Sequence, residues 1–195
     1  MVAMKPGNML EIRWHGRGGQ GAKTAADFIA TCAINGGKYS QGFPDYGPER
    51  MGAPMRGFTR ISDEPILLHC QIERPDIVVV LDDTLLDSVD VTGGLVEKGV
   101  VLINTPCSPG DLRSKLGLKG GKVFTIDATK ISLEEIGRPI PNTPMVGALI
   151  KATGILDLDV VVEEIEQEFK KKFSRAVTQG NIKAIRRAYE EVQGE

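Results

Sequence analysis

The sequence has 195 residues, of which 41% are hydrophobic and 26% are charged, and its formal net charge is −2. These values predict one globular domain over residues 1–195, with a flexible N-terminus at residues 1–9, and they exclude a largely disordered chain. The near-neutral charge and the lack of any long apolar run exclude general attraction to nucleic acid and a membrane-spanning helix. We therefore expect a cytoplasmic protein that binds neither nucleic acid nor membrane.

The cysteines are too few and too scattered for a metal or disulfide framework. Cys32, Cys70 and Cys107 form no C-x-x-C spacing, and only two histidines are present, His15 and His69. A zinc or iron–sulfur site built by this chain alone is therefore not expected, and neither is a catalytic residue of its own.

The chain opens with a strand, a glycine loop and a helix. Apolar and polar residues alternate from Leu10 to His15, which predicts a half-buried strand. The glycine loop, residues 16–21, follows, and Ala22 to Asn35 has apolar residues at helical spacing. Gly36 and Gly37 are expected to end that helix.

The glycine loop is the first candidate binding site, with Gly16, Arg17, Gly18, Gly19, Gln20 and Gly21. A G-x-G-x-x-G pattern before a helix can hold a phosphate with backbone N–H groups. A dinucleotide site also needs an acid about 20 residues further on, and the next acid after the helix is Asp45, in a Pro/Gly-rich segment. The spacing to Lys23 does not fit a P-loop either. The alternative is a tight turn that needs glycine only for packing.

The next segment, Gln41 to Gly57, is rich in glycine and proline, which is typical of a functional or interaction loop. Arg50 and Arg56 are further candidates for binding a polyphosphate, and Arg60 falls on the same strand face as Arg56. A solvated strand face is the alternative explanation. Met55–Arg60 and Ile66–Gln71 are predicted to form a hairpin.

The rest of the chain predicts buried strands and then helices. Ile77–Leu81, Val100–Ile103 and Val123–Ile126 read as strands buried on both faces, with short helical or turn segments between them. Three helices are predicted near the end of the chain, at Met145–Thr153, Val160–Lys171 and Ile182–Val192. The fold class is α/β, a three-layer domain with a mixed, mostly parallel sheet and a C-terminal helical segment.

Polar residues follow these apolar runs. His15, Asp82, Asn104 and Asp127 each come directly after a predicted strand. They either converge on the crevice where α/β sheets bind ligands, or they cap helices and begin turns. Capping is the interpretation we prefer for the Asp and Asn positions.

Several segments together resemble one known family. They are residues 11–30, 39–66, 75–83 and 142–154, and they include G-R-G-G-Q-G at 16–21 and Y-G-P-E-R-x-G-A-P-x-R at 46–56. This combination resembles the gamma subunit of pyruvate:ferredoxin oxidoreductase and its 2-oxoacid relatives. The resemblance covers nearly the whole chain.

The resemblance implies a subunit that acts within a larger enzyme. Thiamine diphosphate and [4Fe–4S] clusters would belong to alpha, beta and delta type subunits, which pass electrons to ferredoxin. This chain would bind no cofactor tightly and would be inactive alone. It would help assembly and coenzyme A access. Together with the anion-ready glycine loop, this predicts that residues 16–21, with Arg17 and Arg50 or Arg56, contact the phosphates of coenzyme A or face the subunit that does. The alternatives are a gamma subunit for 2-oxoisovalerate, 2-oxoglutarate or indolepyruvate, a stand-alone dinucleotide-binding protein, and a purely structural subunit.

Overall fold

The computed structural model describes residues 9–45 and 51–195, and a mixed sheet lies at its centre. The strands are β1 (Leu10–Arg17), β2 (Tyr39–Pro44), β3 (Pro54–Ser62), β4 (Ile77–Val80), β5 (Val100–Asn104), β6 (Lys122–Ile126) and β7 (Gln193–Gly194). The α-helices are α1 (Ala22–Asn35), α2 (Pro109–Leu116), α3 (Ala128–Ile136), α4 (Asn142–Thr153), α5 (Leu158–Lys170) and α6 (Arg175–Glu191), and a 3₁₀ helix spans Asp83–Asp87.

The strand order in the sheet is β2-β3-β1-β4-β5-β6-β7. Strands β1, β4, β5 and β6 run parallel to one another, whereas β2, β3 and β7 pair antiparallel with their neighbours. The predicted α/β class with a mixed, mostly parallel sheet is therefore confirmed. Because β1 lies between β3 and β4, it pairs antiparallel along one edge and parallel along the other.

Helices cover the sheet on both faces. Alternate residues of β4 point to opposite sides, so Val79 packs in a core with α1, α3, α4, α5 and α6, and Val78 packs in a second core with the 3₁₀ helix and α2. Both of these valine side chains are fully buried. This arrangement explains why the central strands are continuous apolar runs.

Two predictions about the strands are wrong. β1 is buried on both faces, because Glu11, Arg13 and His15 are enclosed as well as the apolar residues between them. Residues 66–71 form no strand, and β3 pairs instead with β1 and β2. The prediction for residues 66–71 overlooks β2, whose glycine and proline are typical of an irregular loop.

The helices near the end of the chain were predicted correctly, although α6 begins at Arg175 rather than at Ile182. Side-chain caps fix several helix starts, as at Ser174, whose hydroxyl accepts from the Val177 N–H. The structure contains two further helices: α2 lies between β5 and β6, where the sequence predicts only short helical or turn segments, and α3 follows β6, where it predicts no element. No helix within residues 9–45 and 51–195 is long and apolar enough to cross a membrane.

Candidate functional site

The glycine loop is shorter than residues 16–21, because β1 continues through Arg17. The Gly18 N–H donates to the Ala53 carbonyl oxygen at 3.0 Å, and the Gln20 N–H donates to the Arg17 carbonyl oxygen at 3.0 Å. These two amides are already paired within the protein, so an anion would have to bind to other N–H groups of the loop or of the helix start.

Arg17 and Gln20 hold the loop against the 3₁₀ helix. Arg17 Nη2 donates to Thr84 Oγ1 at 2.8 Å, and its Nε lies 3.3 Å from Asp82 Oδ2. Gln20 Nε2 donates to the same carboxylate oxygen at 2.6 Å. Burial acts to raise the pKa of Asp82, but hydrogen bonds from Thr84 and Gln20 and the charge of Arg17 outweigh it, so the pKa is lowered. The carboxylate therefore stays ionised and fixes both side chains.

The start of α1 presents free backbone donors. Gly21 precedes the helix in the left-handed conformation, with φ 81°, and a Cβ there would lie 2.5 Å from the Asn142 side chain, so any other residue is strained. The first helical bond runs from the Ala25 N–H to the Gly21 carbonyl oxygen, at 2.9 Å. No side chain in the described part of the chain caps this helix. The N–H groups of residues 22–24 thus form the positive end of an uncapped helix dipole.

A cleft of about 860 Å³ opens at this helix start and continues over the carboxyl end of β1. We call the part beside the helix the α1 end; it is lined by Gly19, Gly21, Lys23 and Thr24. The part on the opposite face of the sheet is the β1 end, and it is lined by Arg13, His15, Asp45, Arg56, Leu85, Val89 and Asp90. The cleft therefore joins a cationic helix start to a mixed polar and apolar wall.

The predicted binding residues divide between the cleft and its support. Gly18, Gly19, Gly21 and Arg56 line the cleft. Gly16, Arg17 and Gln20 are not among the lining residues, and Arg50 lies outside the described residues. Sequence reasoning did not select Arg13, because nothing local distinguishes it from an exposed strand residue.

Arg56 reaches the cleft as half of an ion pair. Its Nη2 and Nε lie 2.6 Å and 2.8 Å from Asp45 Oδ2, and its side chain is 42% exposed. Asp45 also accepts a hydrogen bond from Gln71 Nε2 at 2.5 Å. The guanidinium is held in one place but is open to solvent on the cleft side, so it can contact an anionic ligand without moving far.

Arg13 and His15 form a buried pair on the same face of β1. Arg13 Nε donates to His15 Nε2 at 3.0 Å, and Arg13 Nη2 donates to the carbonyl oxygens of Val91 and Gly93 at 3.0 Å and 2.6 Å. Burial, together with the charges of Arg13 and Arg56, lowers the pKa of His15 to about 3. His15 is therefore neutral at physiological pH. It lies within β1, rather than after it as the sequence suggested.

This low pKa predicts acid sensitivity. The unfolded chain takes up a proton on His15 near pH 6.5, whereas the folded chain does so only near pH 3, so stability is complete above pH 6.5 and is lost as the pH falls. Between pH 7 and pH 5 the unfolding free energy should fall by about 2 kcal/mol from this group alone. Urea denaturation at both pH values measures it. His15→Gln should show a smaller pH dependence, and His69→Gln should behave like the wild type; equal pH dependence in all three would contradict the assignment.

The other strand-end polar residues have structural roles. Asp82 caps the 3₁₀ helix by accepting from the Thr84 N–H, and Asp127 caps α3 by accepting from the Lys130 N–H. Asn104 Nδ2 donates to the Leu81 carbonyl oxygen at 2.8 Å. The capping interpretation is therefore confirmed for both aspartates, and none of the three residues lines the cleft.

Arg60 shares a strand face with Arg56, as predicted, but it is buried. Its Nε lies 3.0 Å from Glu11 Oε1, and its side chain is 1% exposed. Cys70 Sγ lies 3.7 Å from its Nη2 and is on an exposed segment, not on a strand. Arg60 thus belongs to the interior of the protein and not to the cleft.

Comparison with known proteins places the chain in a family. The model of the pyruvate ferredoxin/flavodoxin oxidoreductase family matches residues 11–191. The chain is 52% identical over 184 residues to pyruvate synthase subunit PorC of Thermotoga maritima, covering 94% of this chain and 95% of the relative. It is 50% identical over 181 residues to the pyruvate/ketoisovalerate oxidoreductases common subunit gamma of Thermococcus kodakarensis, covering 93% and 96%.

The fold agrees with these relatives. The crystal structure of pyruvate oxidoreductase subunit PORC from Thermotoga maritima matches with a TM-score of 0.86 at 49% identity, covering 96% of this chain and 98% of that one. The resemblance seen in the glycine loop and in residues 46–56 is thereby confirmed. The chain belongs to the pyruvate ferredoxin/flavodoxin oxidoreductase family, as a gamma-type subunit of a multi-subunit oxidoreductase.

Proposed function

We propose that this chain is the cluster-free subunit of a thiamine diphosphate and iron–sulfur dependent 2-oxoacid:ferredoxin oxidoreductase in the cytoplasm. The overall reaction converts pyruvate, coenzyme A and oxidised ferredoxin to acetyl-CoA, CO₂ and reduced ferredoxin. The names of the relatives at 52% and 50% identity support a pyruvate-type enzyme. In this proposal the chemistry at the thiamine takes place on alpha, beta and delta type partners.

The donor set of this chain does not fit a [4Fe–4S] cluster. Cys32 is buried, Cys70 and Cys107 are exposed, and no three His, Cys, Asp or Glu side chains come together among the described residues. A cluster needs about four converging thiolates. The electron-transfer centres are therefore assigned to the partners, and no redox step is proposed on this chain.

The role proposed for this chain is coenzyme A access, together with assembly. The observation that carries it is that the uncapped start of α1, Lys23 and Arg56 all open onto one cleft. Backbone N–H groups at a helix start and nearby cations are the groups that proteins use to bind phosphates. Gly18, Gly19 and Gly21 allow close approach of a ligand, while Gly16, Arg17 and Gln20 are proposed to hold the loop in shape.

The test uses the assembled enzyme. Lys23→Ala and Arg56→Ala should each raise the KM for coenzyme A about tenfold, because each removes a charge-assisted contact to phosphate. Lys38→Ala is the matched control, since Lys38 pairs with Asp63 on the surface away from the cleft. Pyruvate-dependent dye reduction at varied coenzyme A measures all three.

The outcome separates the alternatives. If neither cleft variant changes the KM while assembly is intact, coenzyme A access is refuted, and the purely structural role follows. If assembly fails, a native gel of the complex shows it directly. Binding of NAD(H) by the isolated chain would instead favour the stand-alone dinucleotide-binding role.

A second 2-oxoacid is also supported by a specific observation. The Thermococcus kodakarensis relative, at 50% identity, is named as a subunit common to pyruvate and ketoisovalerate oxidoreductases. We therefore propose that substrate choice lies with the partners, and that this chain could serve a 2-oxoisovalerate enzyme too. Purifying the tagged chain without oxygen and assaying both 2-oxoacids tests this; activity with pyruvate alone would refute it.

A further inference from the structure

The Arg13–His15 pair fixes which nitrogen of the imidazole carries the proton. The Arg13 guanidinium has only donors and does not lose its proton at physiological pH. Because Arg13 Nε donates to His15 Nε2 at 3.0 Å, Nε2 must be the nitrogen with the lone pair. In a neutral ring the proton is then on Nδ1.

The Nδ1–H group has no acceptor within residues 9–45 and 51–195. The one side-chain hydrogen bond of His15 to a described residue is at Nε2, and Nδ1 is not among the fully enclosed atoms that lack a partner. The residue itself is 3% exposed and lines the β1 end of the cleft. Nε2 is therefore hydrogen-bonded within the protein, and the Nδ1–H is a donor that can face the cleft.

The β1 end suits an uncharged acceptor. Arg13, Arg56, Asp45 and Asp90 lie with His15 in this part of the wall, so its charges balance, and Leu85 and Val89 make it partly apolar. A wall without net charge attracts a phosphate less than the helix start does, whereas a neutral N–H beside apolar groups matches an amide carbonyl oxygen. The cationic helix start, which suits phosphate, is at the other end of the cleft.

We propose that His15 is a neutral hydrogen-bond donor to an amide carbonyl oxygen of the pantetheine arm of coenzyme A, and that Arg13 is the positioning residue that fixes its tautomer. This inference rests on the proposed function, because it assumes that coenzyme A occupies the cleft. It adds a ligand-recognition role for the β1 end, where His15 lies next to Arg56, the cation proposed to contact phosphate.

The first experiment separates the two parts of the ligand in the assembled enzyme. His15→Phe should raise the dissociation constant of coenzyme A about tenfold, because a donor to the carbonyl is lost. Inhibition by adenosine 3′,5′-bisphosphate, which has no pantetheine arm, should change less than about twofold. His15→Asn keeps an amide N–H near the position of Nδ1 and should restore most of the affinity. His69→Phe is the control.

The results distinguish failure of this inference from failure of the proposed function. If Lys23→Ala and Arg56→Ala weaken coenzyme A binding but His15→Phe does not, only the inference is overturned. Equal weakening of coenzyme A and the bisphosphate by His15→Phe also overturns it. If no cleft variant changes the affinity, the proposed function itself fails.

The second experiment tests the tautomer through pH. The charged groups that face His15 are Arg13 on β1, Arg56 on β3 and Asp90 beyond the 3₁₀ helix. In the wild type the ring stays neutral with Nδ1 protonated, so coenzyme A affinity should not vary with pH through this group. In Arg13→Met the neutral ring is free to place its proton on Nε2 and lose the donor.

Acid should then restore the donor, because a doubly protonated imidazole has a proton on Nδ1 again. We expect Arg13→Met to bind coenzyme A about fivefold more weakly than the wild type at pH 8 and to recover as the pH falls. Arg13→Met with His15→Phe should show no such recovery. A merely structural loss in Arg13→Met would weaken binding at every pH and would overturn the positioning role.

Discussion

Replacing Gly147 with alanine should destabilise the folded chain by about 3 kcal/mol or more. Gly147 lies in α4, where a Cβ would be 2.2 Å from the carbonyl oxygen of Ile185 in α6 and 2.9 Å from its carbonyl carbon. Both obstacles are backbone atoms of a helix, so neither can rotate away. The two helices would have to separate, and the core beneath them would lose its packing. Urea denaturation of the isolated chain measures the effect.

Gly36→Ala is the matched control. Gly36 follows α1 with φ −79°, and a Cβ there would have its nearest neighbours at 3.4 Å and 3.5 Å. We expect its unfolding free energy to stay within about 0.5 kcal/mol of the wild type. A loss below about 1 kcal/mol for Gly147→Ala would mean that α4 and α6 are not held at this separation.

Replacing Arg60 with methionine should cost about 3 to 5 kcal/mol of stability. The side chains of Arg60 and Glu11 are 1% and 11% exposed, with Nε and Oε1 3.0 Å apart. Removing the guanidinium takes a hydrogen-bonded cation away from a nearly enclosed carboxylate. Arg60 also lies over the Phe43 ring, 5.4 Å from its centroid, so packing is lost as well. Thermal and urea denaturation at neutral pH measure the change.

Two further variants identify the cause. Glu11→Gln combined with Arg60→Met should recover much of the lost stability, since the carboxylate that lost the guanidinium is then removed as well. Lys38→Met removes an exposed ion pair with Asp63 and should change stability by less than about 1 kcal/mol. If the double variant is as unstable as the sum of its single changes, the buried charge is not the reason for the loss.

The elements predicted best from the sequence are those with the same degree of burial on both faces. Ile77–Val80 is apolar on both faces, because both faces of β4 are covered. A continuous apolar run in the sequence therefore predicts such a strand directly. The prediction for strand β1 is wrong for the opposite reason. Its second face is also buried, but it carries charges such as Glu11, whose partner Arg60 is 49 residues away in sequence.

The edge strand β2 was missed because its composition opposes a strand. Gly42 and Pro44 weaken the strand pattern of the sequence. The strand is stabilised by its pairing with β3, which cannot be predicted from neighbouring residues alone. Gly42 also has a packing reason, since a Cβ there would lie 2.8 Å from the Asp27 Cα in α1. Tertiary contact explains both the glycine and the strand.

The candidate site was predicted in part for similar reasons. The glycine loop and Arg56 could be selected from the sequence, because glycine spacing and cations are local features. The assignment of Arg17 to the support of the loop depends on Asp82, 65 positions further along the chain. The role inferred for Arg13 depends on Val91 and Gly93, which are 78 and 80 positions away.

Trp14 gives the protein a built-in spectroscopic probe. It is the only tryptophan, and it is fully buried in β1. Its Nε1 donates to Thr59 Oγ1 at 3.0 Å, and that hydroxyl donates to the Ala26 carbonyl oxygen in α1 at 3.0 Å. One indole is therefore tied to β3 and to α1 at once. The intrinsic fluorescence of the chain reports directly whether the centre of the sheet is assembled, without any label.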